Sequence, residues 1–160
     1  MMEKETRRLL SPAAGRIFPA RELDTADGGG IRFGEGFAVS AEGISRLYYR
    51  LAPAAEIAAP VSGVLTSVES GGFRLRTGDG TEIQVNTSGE GEYFLRVGEL
   101  VRAGEPVCRI SREAFTRGRA GAVVTFGDST RITELHIFSG IKRSGELAAE
   151  YIPLSEPKLW

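Results

Sequence analysis

The sequence predicts an all-β protein, an antiparallel β-sandwich or barrel with an internal duplication and only a few short helical turns. Three observations carry that expectation. Glycine is the unusual component, 21 residues against 7 prolines, and it falls as punctuation between short runs of Val, Ile, Leu and Phe, the rhythm of many short strands. Within those runs apolar residues recur at every second position, as in Phe73, Leu75, Ile83 and Val85, which is the period of a half-buried strand. A motif also returns, since "SPAAGRI" (11–17) and "APVSGVL" (59–65) share the pattern small-Pro-x-x-Gly-x-apolar. Two related halves of this kind pack together because neither buries its apolar face alone.

Along the chain, residues 1–9 carry charge without a core pattern and are expected to be a flexible N-terminus. The first motif copy leads into a strand through Ile17, and "GFAVSAEG" (36–43) supplies a second with Phe37 and Val39. Residues 44–55, holding "SRLYYRLAPAA", read as an insertion that adds strand surface at an edge. Tyr48 and Tyr49, between Arg46 and Arg50, are either part of that edge strand or an exposed aromatic contact for a partner or a second copy. The second copy resumes the strand rhythm with Val64. "GFRLRTGDGTEIQVN" (72–86) is a hairpin closed at Asp79-Gly80, a strong turn signal between alternating strands. "VGELVRAGEPVCRIS" (97–111) places turn glycines at Gly98 and Gly104 before another alternating strand. Residues 113–119 and 129–135 have room for a turn or two of helix, and 152–160 are expected to be a tail. The expected core is Ile17, Phe37, Val39, Val64, Phe73, Leu75, Ile83, Val85, Val107 and Ile110.

Composition narrows the function classes. At 160 residues the chain fits one domain with a real core. A net charge of −1, with 20 basic and 21 acidic residues spread along the chain, gives no field for nucleic acid or a membrane surface. No window reaches the ~20 apolar residues of a membrane span, and the start resembles no secretory signal. A single cysteine, Cys108, forms no internal disulfide, which fits a reducing compartment and a cytoplasmic protein. The glycines make no phosphate loop, since no G-x-x-x-x-G-K-[ST] run occurs.

Six segments in a fixed order resemble the glucose-type enzyme IIA domain of the bacterial sugar phosphotransferase system. They are "SPAAGRIFPARELD", "GEGFAVSAEG", "AAPVSGVLTSVES", "GFRLRTGDGTEIQVN", "GEGEYFLRVGELVRAGEPVCRIS" and "ELHIFSGIKRSGE", covering most of residues 10–146. The resemblance implies a β-sandwich that passes a phosphoryl group from a small phosphocarrier protein to a sugar permease. In the family one histidine accepts the phosphoryl group and a second, ending the next strand in V-H-[IF]-G-I-D-T-V, supports it. The first matches Gly71 here and the second Asn86, and the G-I-D-T-V loop has no counterpart. An apolar docking segment of the family is replaced by "DTADGGG" (24–30). Glycine has nothing to phosphorylate, and an amide hydrogen-bonds without acting as nucleophile or proton shuttle near neutral pH.

The expectation is therefore an enzyme IIA-like protein without its acceptor, a non-catalytic protein-binding or regulatory module linked to sugar uptake, with no cofactor and no metal. Gly71, Phe73 and Asn86, with Tyr48 and Tyr49, are its candidate binding residues. Its partners would be another protein, a second copy, a phosphocarrier protein or a permease subunit. A second reading keeps phosphotransfer with another acceptor, such as His136, the single histidine. His136 has no metal ligands near it in sequence, where a site needs three or four. Cys108 alternates with Val107 and Ile110, favouring a buried thiol over a nucleophile. Asp79, Glu82, Glu90 and Glu92 crowd the hairpin ends, where turn formation and solvation compete with acid–base work.

Overall fold

A computed structural model describes residues 6–24, 35–42, 54–127 and 130–154. In chain order it holds β1 (Arg7–Leu10), β2 (Gly15–Pro19), α1 (Arg21–Asp24), β3 (Gly36–Ser40), β4 (Ala54–Ala58), β5 (Gly63–Glu69), β6 (Gly72–Arg76) and β7 (Glu82–Thr87). The second half adds β8 (Glu92–Tyr93), β9 (Leu100–Val101), β10 (Pro106–Ser111), α2 (Arg112–Arg117), β11 (Ala122–Phe126), β12 (Ile132–Ile137), β13 (Gly140–Lys142) and β14 (Leu147–Pro153). Eight strands form one sheet in the order β13-β2-β3-β11-β7-β6-β5-β9. Two three-stranded sheets, β1-β14-β12 and β4-β10-β8, complete the architecture. The registered strand pairs are all antiparallel, so the expected all-β sandwich is what forms, without closing into a barrel.

The duplication is visible in the backbone. Leu10 N–H donates to Pro60 O while Ala58 N–H donates to Pro12 O, both at 2.8 Å. The two Pro-led turns thus hold each other reciprocally, which satisfies backbone groups that neither turn pairs by itself. Each copy's glycine then opens a strand against a neighbour too close for a side chain. A Cβ on Gly15 would meet Ser40 O at 2.0 Å, and one on Gly63 would meet Arg76 O at 2.5 Å.

Each Pro-led turn is also clasped by an Arg-x-Gly-Glu turn. Gly145 N–H donates to Ser11 O, and Gly104 N–H donates to Ala59 O. In both turns the Glu N–H bonds the Arg carbonyl, and the Glu carboxylate accepts from the Arg N–H (Glu105–Arg102 and Glu146–Arg143). A third copy, Arg96 to Glu99, is built the same way and docks on Leu65 O through Gly98 N–H. Glycine is required at the third position, where φ is +99° at Gly98, +87° at Gly104 and +88° at Gly145, because a type II turn needs positive φ there.

One hydrophobic core draws on all three sheets, from Leu9 on β1 to Ile17, Phe37, Ile57, Leu65, Phe73, Val85, Ile110, Val124 and Tyr151. Nine of the ten residues expected in the core are buried; Val64 is the exception. It pairs with Arg76 on the outer side while Leu65, paired with Leu75, faces inward. Directly opposed residues share a sheet face, so the solvated Arg76 draws Val64 outward. A register shift between Leu65 and Ser67 breaks the alternation that follows.

Other expectations are corrected. Residues 7–9, expected in a flexible terminus, belong to β1, where Leu9 is 0% exposed and pairs with Ala149. Ile152 and Pro153, expected in the tail, complete β14. The helix expected within 113–119 forms as α2, with the Ser111 hydroxyl accepting from Ala114 N–H at its start. Of the helix expected at 129–135, residue 129 lies outside the described residues, and from Ile132 onward the chain is strand β12, paired with β14. Ala54 and Ala55, placed in the 44–55 insertion, belong to β4; residues 44–53, with Tyr48 and Tyr49, lie outside the described residues. Among the described residues no helix is long and apolar enough to cross a membrane.

Candidate functional site

The β6–β7 hairpin sits inside the eight-stranded sheet, flanked by β5 and β11. Its inner face is Phe73, Leu75, Ile83 and Val85, all buried, and its outer face carries Arg74, Gln84 and Asn86. Pairing runs from Arg76↔Glu82 at the closed end to Gly72↔Asn86 at the open end. Gly71 lies just beyond, its carbonyl accepting from Thr87 N–H at 2.9 Å. The structure therefore brings Gly71 and Asn86 together at one mouth, as their sequence positions imply.

The two glycines at this mouth are there for different reasons. A Cβ on Gly72 would lie 2.3 Å from Val85 O and 3.1 Å from Asn86 Cα, so close strand approach demands glycine. A Cβ on Gly71 would meet nothing within 4 Å, and Gly71 is not among the residues with positive φ. Neither packing nor backbone conformation requires glycine at 71. The place where the resemblance puts a reactive side chain is open, exposed and empty of one.

Around it the groups are polar and mutually satisfied. Gln84 Nε2 donates to Asn86 Oδ1 at 2.9 Å, which fixes the amide's acceptor on its neighbour. The Tyr93 hydroxyl lies 2.6 Å from Gly72 O and 2.7 Å from Glu69 O, tying β8 to the turn between β5 and β6. Burial, with smaller contributions from Cys108 and Glu69, pushes the Tyr93 phenol up to about 12, so it stays a neutral donor. Phe73 is 2% exposed and meets Tyr93 edge-to-face at 6.3 Å. It supports the mouth from beneath and is no contact surface. The depression lined by Ser67, Glu69, Gln84 and Asn86 is about 10 Å³, room for one water and no more.

Tyr93, Gln84 and Glu69 were not singled out from sequence. The available signal for Tyr93 was an aromatic following Gly91, whose own Cβ would lie 3.2 Å from the Tyr93 ring. Such a contact is set by chain crossings that periodicity does not reveal.

The carboxylates separate into two groups. Asp79 closes the far end of the hairpin, beyond the Arg76↔Glu82 pair, which is itself four strand rises or about 14 Å from the mouth. It accepts from the Thr77 hydroxyl and Thr81 N–H and pairs with Arg7 at 3.1 Å. Desolvation pushes its carboxyl up, but the hydrogen bonds from Thr77 and Thr81, with Arg7 behind them, outweigh it and leave the carboxyl below its ordinary value. Glu82 pairs with Arg74 at 3.5 Å. Near the mouth, Glu92 takes a two-pronged bond from Arg109 at 3.0 and 3.1 Å, which lowers its carboxyl. Asp79 and Glu92 are thus occupied, and no acid–base pair forms across the hairpin.

Cys108 is fully buried on β10, and desolvation pushes its thiol up to about 12, as an inert core thiol requires. His136 stands in another sheet, on β12, exposed and paired with Glu150. Its ring lies edge-on to Phe138 at 4.6 Å, and it lines an open groove of about 490 Å³ with Pro19, Arg21, Glu35 and Leu135. Among the described residues no three His, Cys, Asp or Glu side chains gather as metal ligands.

No family model and no curated protein matches the sequence. Several solved structures match the chain, among them two that it covers almost end to end. One is an M23 metalloprotease, pseudoalterin, from the deep sea, at TM-score 0.46 and 14% identity over 98% of this chain and 100% of that one. The other is glucose permease IIA from Mycoplasma capricolum, at TM-score 0.64 and 18% identity, covering 94% of this chain and 99% of that one, and it is the enzyme IIA fold that this chain shares.

Proposed function

We propose that this protein is a phosphotransferase-system enzyme IIA-like module that has lost the phospho-accepting histidine and works by binding another protein, in the cytoplasm, as a regulatory element linked to sugar uptake. The observation that carries this reading is Gly71. It occupies the acceptor position of the resemblance, yet nothing in its surroundings calls for glycine. In-line transfer needs a nucleophile held at the reacting phosphorus, and the mouth offers backbone, an amide fastened to Gln84 and a phenol held neutral by burial. Such a mouth can lie under a partner's surface, but it has no group that would carry out the transfer. Loss of the reactive pair removes no core residue, so a fold of this kind outlives its chemistry. The partners that fit are a phosphocarrier protein or a permease subunit.

A second reading has one observation in its favour, the exposed His136 in a groove shared with Arg21. One experiment separates the two. The protein is incubated with phosphoenolpyruvate and the two general phosphotransferase proteins, then weighed intact under mildly alkaline conditions that preserve phosphohistidine. The proposal expects no added phosphate. One phosphate that disappears in His136→Ala overturns it and makes His136 the acceptor.

A further inference from the structure

Among the described residues the eight-stranded sheet ends at β13 and β9, and these two edges are guarded very differently. At the β13 edge, exposed Ile141 is followed by Lys142 and Arg143. Two like charges there repel a second copy of the same edge, the usual way a sheet blunts its end. At the β9 edge, Leu100 is 80% exposed and Val97 is 58% exposed. Val64, paired with Leu100 across β5, is only half-buried and extends the apolar surface. The charges flanking this patch alternate in sign: Arg96, Glu99, Arg102, Glu105.

That alternation is self-complementary under a two-fold axis. With two β9 strands antiparallel and Leu100 meeting Leu100, Arg102 of one copy comes beside Gly98 and Glu99 of the other. Arg96 comes beside Gly104 and Glu105. Symmetry makes every such approach twice; each Arg lies across from a glycine, which has no side chain in the way, and reaches along the strand to the Glu beside it, within the range at which opposite charges attract. Glu99 and Glu105 are already held in place, each giving one carboxylate oxygen to its own turn's backbone and keeping the other for a partner. Little side-chain freedom is therefore lost on docking.

We propose that the β9 edge is a homodimer interface, in which a second copy of this chain covers Leu100 and Val97 and sets its register by Arg–Glu pairs. The interface does not depend on what the hairpin mouth binds. Two strand residues and their flanking turns cover less than the ~800 Å² per partner of a standard interface, so the dimer is a weak one, with Kd on the order of 10–100 µM.

Sedimentation velocity from about 5 to about 500 µM brackets that range. The wild type is expected to shift from monomer to dimer across it. Leu100→Glu, at a position too exposed to disturb folding, weakens the dimer by about tenfold or more. Arg102→Glu, which sets one acidic group beside another, Glu99 of the second copy, weakens it several-fold and removes most of its salt sensitivity. A wild type monomeric at every concentration overturns the proposal. So does a dimer that survives Leu100→Glu, since its interface lies elsewhere, and a dimer tightened by Arg102→Glu refutes the register.

Discussion

Replacing two adjacent glycines by alanine tests the reasoning at the hairpin mouth, because the structure assigns them opposite costs. In Gly72→Ala the new methyl would sit 2.3 Å from Val85 O and 3.1 Å from Asn86 Cα. Both are backbone atoms of the paired strand, so the clash is relieved only by spreading β6 from β7 at the end of their ladder. Overpacking of this kind costs about 1–3 kcal/mol, which for a chain of this size lowers Tm by roughly 2–12 °C. In Gly71→Ala the methyl enters open space at ordinary backbone angles. Restricting the unfolded chain then makes the change neutral or stabilising by up to about 1 kcal/mol. Urea unfolding of both variants, with the slope checked to be unchanged, reads the difference directly. Equal destabilisation by the two would refute the claim that Gly71 is free of structural duty, and with it the main support for a lost acceptor.

Three further outcomes follow from the same geometry. Leu65→Ala should cost about 2–5 kcal/mol and Val64→Ala less than about 1, since only Leu65 is buried against Leu75; equal costs in urea unfolding would mean the facing of β5 is misassigned. Asp79 has a folded pKa lowered from 3.8, so its contribution is present above that unfolded value and is lost as pH falls through the lowered folded one. The stability gap between wild type and Asp79→Asn should accordingly narrow on acidification from neutral pH, and a gap that is constant or widens contradicts the Thr77–Thr81–Arg7 arrangement. Cys108, buried with its thiol pushed to about 12, should react with a thiol reagent at pH 8 only on unfolding; rapid labelling of the native protein would show that β10 is accessible.

Much of this molecule was legible in its residues because the signals are local. Alternation along Phe73, Leu75, Ile83 and Val85 and the Asp79-Gly80 turn specify a hairpin without reference to anything distant. The Pro-x-x-Gly repeat announced two related halves, and the turn glycines at Gly98 and Gly104 mark bends that only positive φ allows. The resemblance placed Gly71 and Asn86 together, and antiparallel pairing brings them to one mouth. Whatever depends on a partner far along the chain was decided by tertiary structure. Val64 and Leu65 are both apolar, and Arg76 and Leu75 across the ladder determine which of them faces inward. Residues 132–135 suit a helical turn or a strand equally in isolation, and β14 offers them a ladder of backbone bonds that one turn of helix does not match. Leu9 is buried because Ala149 lies opposite it, and Tyr93 reaches the mouth because β8 pairs with β10. A strand leaves half its hydrogen bonds and one of its faces to residues elsewhere in sequence, so pattern predicts that a strand exists while its neighbours determine what it buries and what it shows.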